Sequence, residues 1–156
     1  MKKNNESIIK KLSTLLLISL FFISCSVSWV PTYNETLETQ IINGQKMTSK
    51  FYSQMLLDQV TNRTYDNYKK GYVEISTEIN SIRFQVNATK NASLILASID
   101  SLGNKWEQYQ ERHRARDSNH TPTSDDIIKT NTNLIDGFWK PLLIDMRALK
   151  MVRKKD

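Results

Sequence analysis

The side chains best suited to chemistry in this sequence are few and poorly spaced for it. His113 and His120 are the two histidines, and Arg112, Arg114 and Arg116 surround the first of them. A metal ion arriving at His113 would meet a positive field, and no H-E-x-x-H or comparable ligand spacing is present. Asp125 and Asp126 are adjacent carboxylates, but neighbours on a helix point about 100° apart. They suit the positive end of a helix better than an acid/base pair. Glu107 and Glu111 stand one turn apart, with Lys105 and Arg114 close enough in sequence to make a solvated charged face. There is no Gly-rich phosphate loop and no G-x-S-x-G. The pattern predicts a protein that is not an enzyme and takes no cofactor and no metal.

Two further groups could recognise a ligand. Trp106, Trp139 and the row Tyr65, Tyr68, Tyr72 could form a stacking platform for a sugar ring, but their helical spacing fits core contacts better. The basic run Arg112, Arg114, Arg116 could touch an anionic surface or an acidic partner, or simply complement the negative end of a helix.

The strongest signal lies at the start of the chain. Lys2, Lys3, Lys10 and Lys11 form a basic region diluted by Glu6, and Leu12 to Ile23 is an apolar run. A run of that length is too short to span a hydrocarbon core as a helix, which takes roughly 20 residues. It ends in Phe22-Ile23-Ser24-Cys25: a bulky apolar residue, any residue, a small residue, then the only cysteine in the chain. This resembles the lipobox of bacterial lipoproteins, with Phe22 where Leu is commoner. The resemblance covers residues 1–25 only. It implies cleavage before Cys25, diacylglycerol on its sulfur and an acylated new amine, so that the protein meets the membrane through Cys25. Ser26 in place of Asp implies the outer membrane, and the lack of an acidic cluster after Cys25 implies its periplasmic face. The competing reading is an uncleaved anchor reaching Val30, which Ser24, Ser26 and Ser28 make a poor span.

Processing changes the charge argument. The chain has 22 basic and 16 acidic residues; less four Lys and one Glu, the mature part keeps 18 and 15. A surplus of three charges in place of six gives no case for nucleic-acid binding. A capped lone cysteine leaves no disulfide, thiolate metal site or Cys nucleophile.

The elements that must position these residues are helices. Four Gly and three Pro in 156 residues argue against a β-sandwich. Asn34 caps a first helix, about 35–61, with a stripe Leu37, Ile41, Gly44, Thr48, Phe51, Met55, Gln59; small Gly44 and Thr48 allow a close neighbour. The stretch of about 65–116 reads as helix throughout. Its first half buries Tyr68, Tyr72, Ile75, Ile79, Ile82 and Val86, and its second half Ala92, Ile95, Ile99, Leu102, Trp106 and Tyr109. The second stripe falls one residue early, so the buried face rotates by roughly a quarter turn in 87–91. With no Gly or Pro there, the pattern favours one continuous helix, a rod about 75 Å long. The alternative is a four-helix bundle with a break near 87–91.

A last helix, about 125–153, carries Ile127, Ile128, Asn131, Leu134, Ile135, Phe138, Leu142, Ile144, Met146, Leu149 and Val152 as its stripe, with a kink expected before Pro141. Asp66 with Lys70 and Asp136 with Lys140 are expected i,i+4 pairs. The expectation is therefore an all-α antiparallel bundle built on a long central helix with two shorter flanking ones. Residues 1–24 would be signal peptide, 25–34 lipidated Cys and tether, and 35–156 one helical domain. Function follows from the leader: a lipid-anchored, non-enzymatic protein-protein interaction module with an envelope partner. A small inhibitor, immunity or exclusion lipoprotein is the second reading, and a cell-wall glycan binder the third. A phase-shifted long helix could also seek a second copy of itself.

Overall fold

The computed structural model describes residues 31–153, which form four helices: α1 (Glu35–Leu57), α2 (Tyr65–Asn87), α3 (Ser93–Ser118) and α4 (Asp125–Arg153). A single 3-10 turn, Val60–Asn62, lies between α1 and α2. Short connections make successive helices antiparallel. Each helix packs against the two beside it, α1 on α2 and α4, and α3 on α2 and α4. Two ends result. One holds the start of α1, the α2–α3 turn and the end of α4; the other holds the two remaining loops. At a rise of 1.5 Å per residue they lie about 35 Å apart. Among the described residues no helix is long and apolar enough to cross a membrane.

The continuous helix over 65–116 is not what forms. The chain stops at Asn87, turns, and restarts at Ser93, which is the four-helix alternative. The last turn of α2 tightens, with Ala88 N donating to Phe84 O (3.2 Å) and Thr89 N to Val86 O (2.9 Å). Asn91 then takes φ 59°, the left-handed conformation that Asn tolerates better than other residues bearing a side chain. The quarter-turn offset between the stripes is thus a fold-back. It lets Ile79, Ile82 and Val86 pack in one core with Ile95, Ile99 and Leu102.

Every residue of both spine stripes is buried, as are Leu37, Ile41, Gly44, Thr48, Phe51 and Met55 of α1; Gln59 lies beyond the helix and is exposed. Asn34 caps α1 through Oδ1, accepting from Leu37 N at 3.2 Å. Gly44 does bring a neighbour close: a Cβ there would stand 2.5 Å from Trp139 Cη2. The stripe of α4 needs correcting. Its buried set is Ile128, Ile135, Trp139, Leu142, Met146 and Leu149, one step of seven followed by alternating fours and threes, which takes in Trp139. Leu134, Ile144 and Val152 are about half exposed, because they fall between the steps of that repeat. Helix α4 runs unbroken through Pro141. Lys70 lies 3.9 Å from Glu74 rather than pairing with Asp66, and Asp136 accepts from Gln45 across the α1–α4 interface at 3.5 Å.

Candidate functional site

The densest chemistry lies in the core at the loop end, beneath the 58–64 and 119–124 connections. It starts as an aromatic cluster. Phe51 and Tyr72 have ring centroids 4.7 Å apart, and Trp106 sits 5.1 Å from Tyr72 and 5.4 Å from Phe51. The Trp106 indole N–H donates to the Tyr72 carbonyl at 3.3 Å. Both Trp106 and Trp139 are essentially fully buried. The rings proposed for a sugar platform are core residues, so the glycan reading loses its surface.

Two polar side chains close this cluster. His113 is buried on the same face as Trp106 and Tyr109. Its Nε2 lies 2.9 Å from the Arg63 carbonyl and its Nδ1 3.2 Å from the Tyr72 hydroxyl. A carbonyl can only accept, so Nε2 carries the proton in the neutral ring and Nδ1 accepts from Tyr72. Burial pushes the His113 pKa below its usual value and outweighs the Arg63 carbonyl and Asp117, which favour the charged ring; Arg116 pushes the same way as burial. Both ring nitrogens are engaged within the core.

Arg63 is the second. Its guanidinium is buried and donates to the carbonyls of Leu56 (3.1 Å), Asp58 (3.1 Å) and Thr123 (3.2 Å). It also donates to the Asp125 carboxylate at 2.6 Å, which holds that carboxyl below the usual range. One side chain thereby ties both loops to the start of α4. The Tyr68 hydroxyl donates to Asp58, and Asp117 accepts from Tyr65 N at 3.2 Å. Asp125 stands in the first turn of α4 as expected, but its carboxylate serves Arg63. Glu107 and Glu111 are exposed.

The basic run does not form a single patch. Arg114 turns toward α2, donating to the Tyr65 hydroxyl at 2.8 Å with its guanidinium 4.8 Å from that ring's centre. That bond favours the charged forms of both groups, lowering the Tyr65 pKa and raising that of Arg114. Arg112 and Arg116 lie one turn apart on the other side, toward α4. With Tyr52, Tyr109, His113 and Asn131 they line a cavity of about 50 Å³. That is room for a few water molecules. The Tyr52 hydroxyl is buried, has no partner among the described residues and has its pKa pushed far up by desolvation. The arrangement is a buried cluster of paired polar groups and aromatic rings beneath Arg112 and Arg116.

Cys25, the lipidation site implied by the leader, and most of the tether lie outside the described residues. The sequence reading missed Arg63 and the structural role of His113. For His113 the signal existed, since the repeat through Ile95, Ile99, Leu102, Trp106 and Tyr109 reaches position 113 at its next step. For Arg63, inside a turn, there was none. Comparison of the chain with protein-family models, with curated proteins and with solved structures finds no match.

Proposed function

We propose that this chain is a lipid-anchored protein of the bacterial cell envelope, held at the periplasmic face of the outer membrane by acylated Cys25. Its bundle works without catalysis, by binding another envelope protein. The observation that carries this reading is the difference between the two ends of the bundle. The chain enters α1 at one end, beside Lys150 and Arg153, whose cations lie over the Tyr33 ring. The opposite end, about 35 Å away by helix length, exposes Leu57 (86%) and Val60 (45%). Beside Leu57 runs a shallow groove of about 600 Å³ lined by Gln54, Asp58, Asn62, Asn67 and Tyr68. Arg112 and Arg116 lie toward the same end. An anchored bundle would hold that end out from the lipid, where a partner can reach it. The absence of catalysis is supported by where the ionisable groups are spent: His113 on Tyr72 and Arg63, and Asp125 on Arg63.

The test is cross-linking in the source cells, purification through a C-terminal tag, and mass spectrometry of the product. A specific envelope protein, lost with Leu57→Asp or with Arg112→Glu plus Arg116→Glu, supports the reading. A partner retained by all these variants places the contact elsewhere. No partner under several growth conditions refutes a resident complex and favours an inhibitor awaiting an incoming target.

A further inference from the structure

The tether end carries its own surface. Among the described residues, four of the nine exposed large apolar side chains lie within about two turns of it: Phe84 (76% exposed), Leu94 (81%), Met151 (62%) and Val152 (49%). They come from three different helices, so they ring the end rather than stripe one face. Between the start of α3 and the end of α4 lies a groove of about 290 Å³, lined by Pro31, Leu94, Ile95, Asp145, Ala148 and Leu149. Pro31, four residues before the start of α1, lines this groove. Lys90, Arg147, Lys150 and Arg153 stand exposed around it. The carboxylates nearby are Glu35, Glu38 and Asp145, and Glu38 is already held by Lys150 at 2.9 Å and by the Tyr33 hydroxyl.

We propose that this end of the bundle is a lipid-contact face, with Phe84, Leu94 and Met151 inserted among the headgroups of the bilayer that holds Cys25, and Lys90, Arg147 and Arg153 against their phosphates. The proposal rests on the anchored reading above and adds that the bundle lies against the membrane. Two arguments commit the face to lipid rather than to a protein. The first is reach: from Cys25 to Pro31 is six residue steps, at most about 20 Å fully extended. An acylated Cys25 would therefore keep this end within a short distance of the headgroups at a high effective concentration. The second is chemistry: scattered large apolar side chains interleaved with Lys and Arg match an anionic interface, where the chains bury and the cations meet phosphate. A membrane face also accounts for where the exposed Phe is found. Phe84 points away from the stripe Ile75, Ile79, Ile82, Val86 and has no role in the core.

The experiment uses the full chain, expressed and processed in a bacterial host. The photoreactive p-benzoylphenylalanine replaces residue 84, 94 or, as the control at the opposite end, 57. Membranes are irradiated and each purified protein is weighed by mass spectrometry, which reads both acylation at Cys25 and any adduct. The expected result is phospholipid adducts at positions 84 and 94 at least tenfold above position 57. Acylated protein with equally low lipid adducts at all three positions overturns the contact face and leaves the anchor standing. Adducts to a protein at 84 and 94 overturn it in favour of a partner on this end. Protein lacking acyl chains at Cys25 overturns the anchored reading, and this proposal with it.

Discussion

Gly44→Ala tests whether the α1–α4 interface is packed as tightly as described. The added Cβ would stand 2.5 Å from Trp139 Cη2, with Cζ3 and Cζ2 at 3.1 and 3.2 Å. The indole cannot step aside freely. It is fully buried, and its N–H donates to Thr48 Oγ1 at 3.2 Å, which in turn donates to the Gly44 carbonyl at 2.9 Å. Overpacking of this kind costs about 1–3 kcal/mol. Replacing a helical glycine gains about 1 kcal/mol of propensity, so the net expectation is a loss of about 0–2 kcal/mol. Gly137→Ala supplies the reference, because a Cβ there meets nothing within 4 Å and keeps the gain. The gap between the two variants is then the packing cost alone, about 1–3 kcal/mol. At about 4 °C per kcal/mol for a domain of this size, thermal unfolding should separate them by roughly 4–12 °C. Urea titration should give the same order. A Gly44→Ala protein as stable as Gly137→Ala would refute the argument, for it would mean that Trp139 does not rest on Gly44.

Other perturbations probe the loop-end core and the turn. Arg63→Met should cost about 3–5 kcal/mol in urea unfolding, because the carbonyls of Leu56, Asp58 and Thr123 lose a buried donor together. Asp125→Asn should lower the urea midpoint far less than Arg63→Met does, since that carboxylate is half exposed and screened; equal losses would assign the effect to the ion pair. His113 has its pKa lowered in the folded state, so its neutral form contributes stability above the unfolded value of about 6.5. That contribution should fade as pH drops from about 6.5 toward the folded pKa. Unfolding midpoints between pH 7.5 and 5 should therefore decline in the native protein and flatten in His113→Gln; parallel slopes would exclude His113 as the cause. Asn91→Ala places a poorer residue at φ 59° and should destabilise by about 1–2 kcal/mol, measurable as a lower thermal midpoint. No change would mean the turn relaxes without the left-handed residue.

Helices were legible because burial on one face imposes a repeat of threes and fours. Tyr68 to Val86 and Ala92 to Tyr109 follow it without exception, and each of those residues is buried. The same repeat would have placed Trp139 in the core and left out Leu134 and Ile144. That correction needed strict spacing rather than a tally of apolar residues. The sequence also contained the phase shift at 87–91 but not its meaning. A rotated stripe is compatible with a straight helix facing two partners or with a chain that folds back on itself. Only packing distinguishes them, because the free energy that turns the chain comes from burying α2 against α3. The cue at the turn was Asn91 rather than a Gly or Pro.

The polar knot was the least legible part. Arg63 reaches carbonyls at positions 56, 58 and 123, and its salt bridge spans 62 residues. His113 depends on a hydroxyl 41 residues away. No local pattern encodes such pairings, since they are set by which loops the bundle brings together. By itself the sequence determined the helical class, the spine stripes, the cap at Asn34 and the close approach at Gly44. These follow from periodicity and side-chain size, which act over one or two turns. Tertiary structure decided the fold-back, the bonds of His113 and Arg63, the division of Arg112 and Arg116 from Arg114, and the two unlike ends. Those depend on contacts between residues far apart in the chain, and they exist only once the four helices enclose a common core.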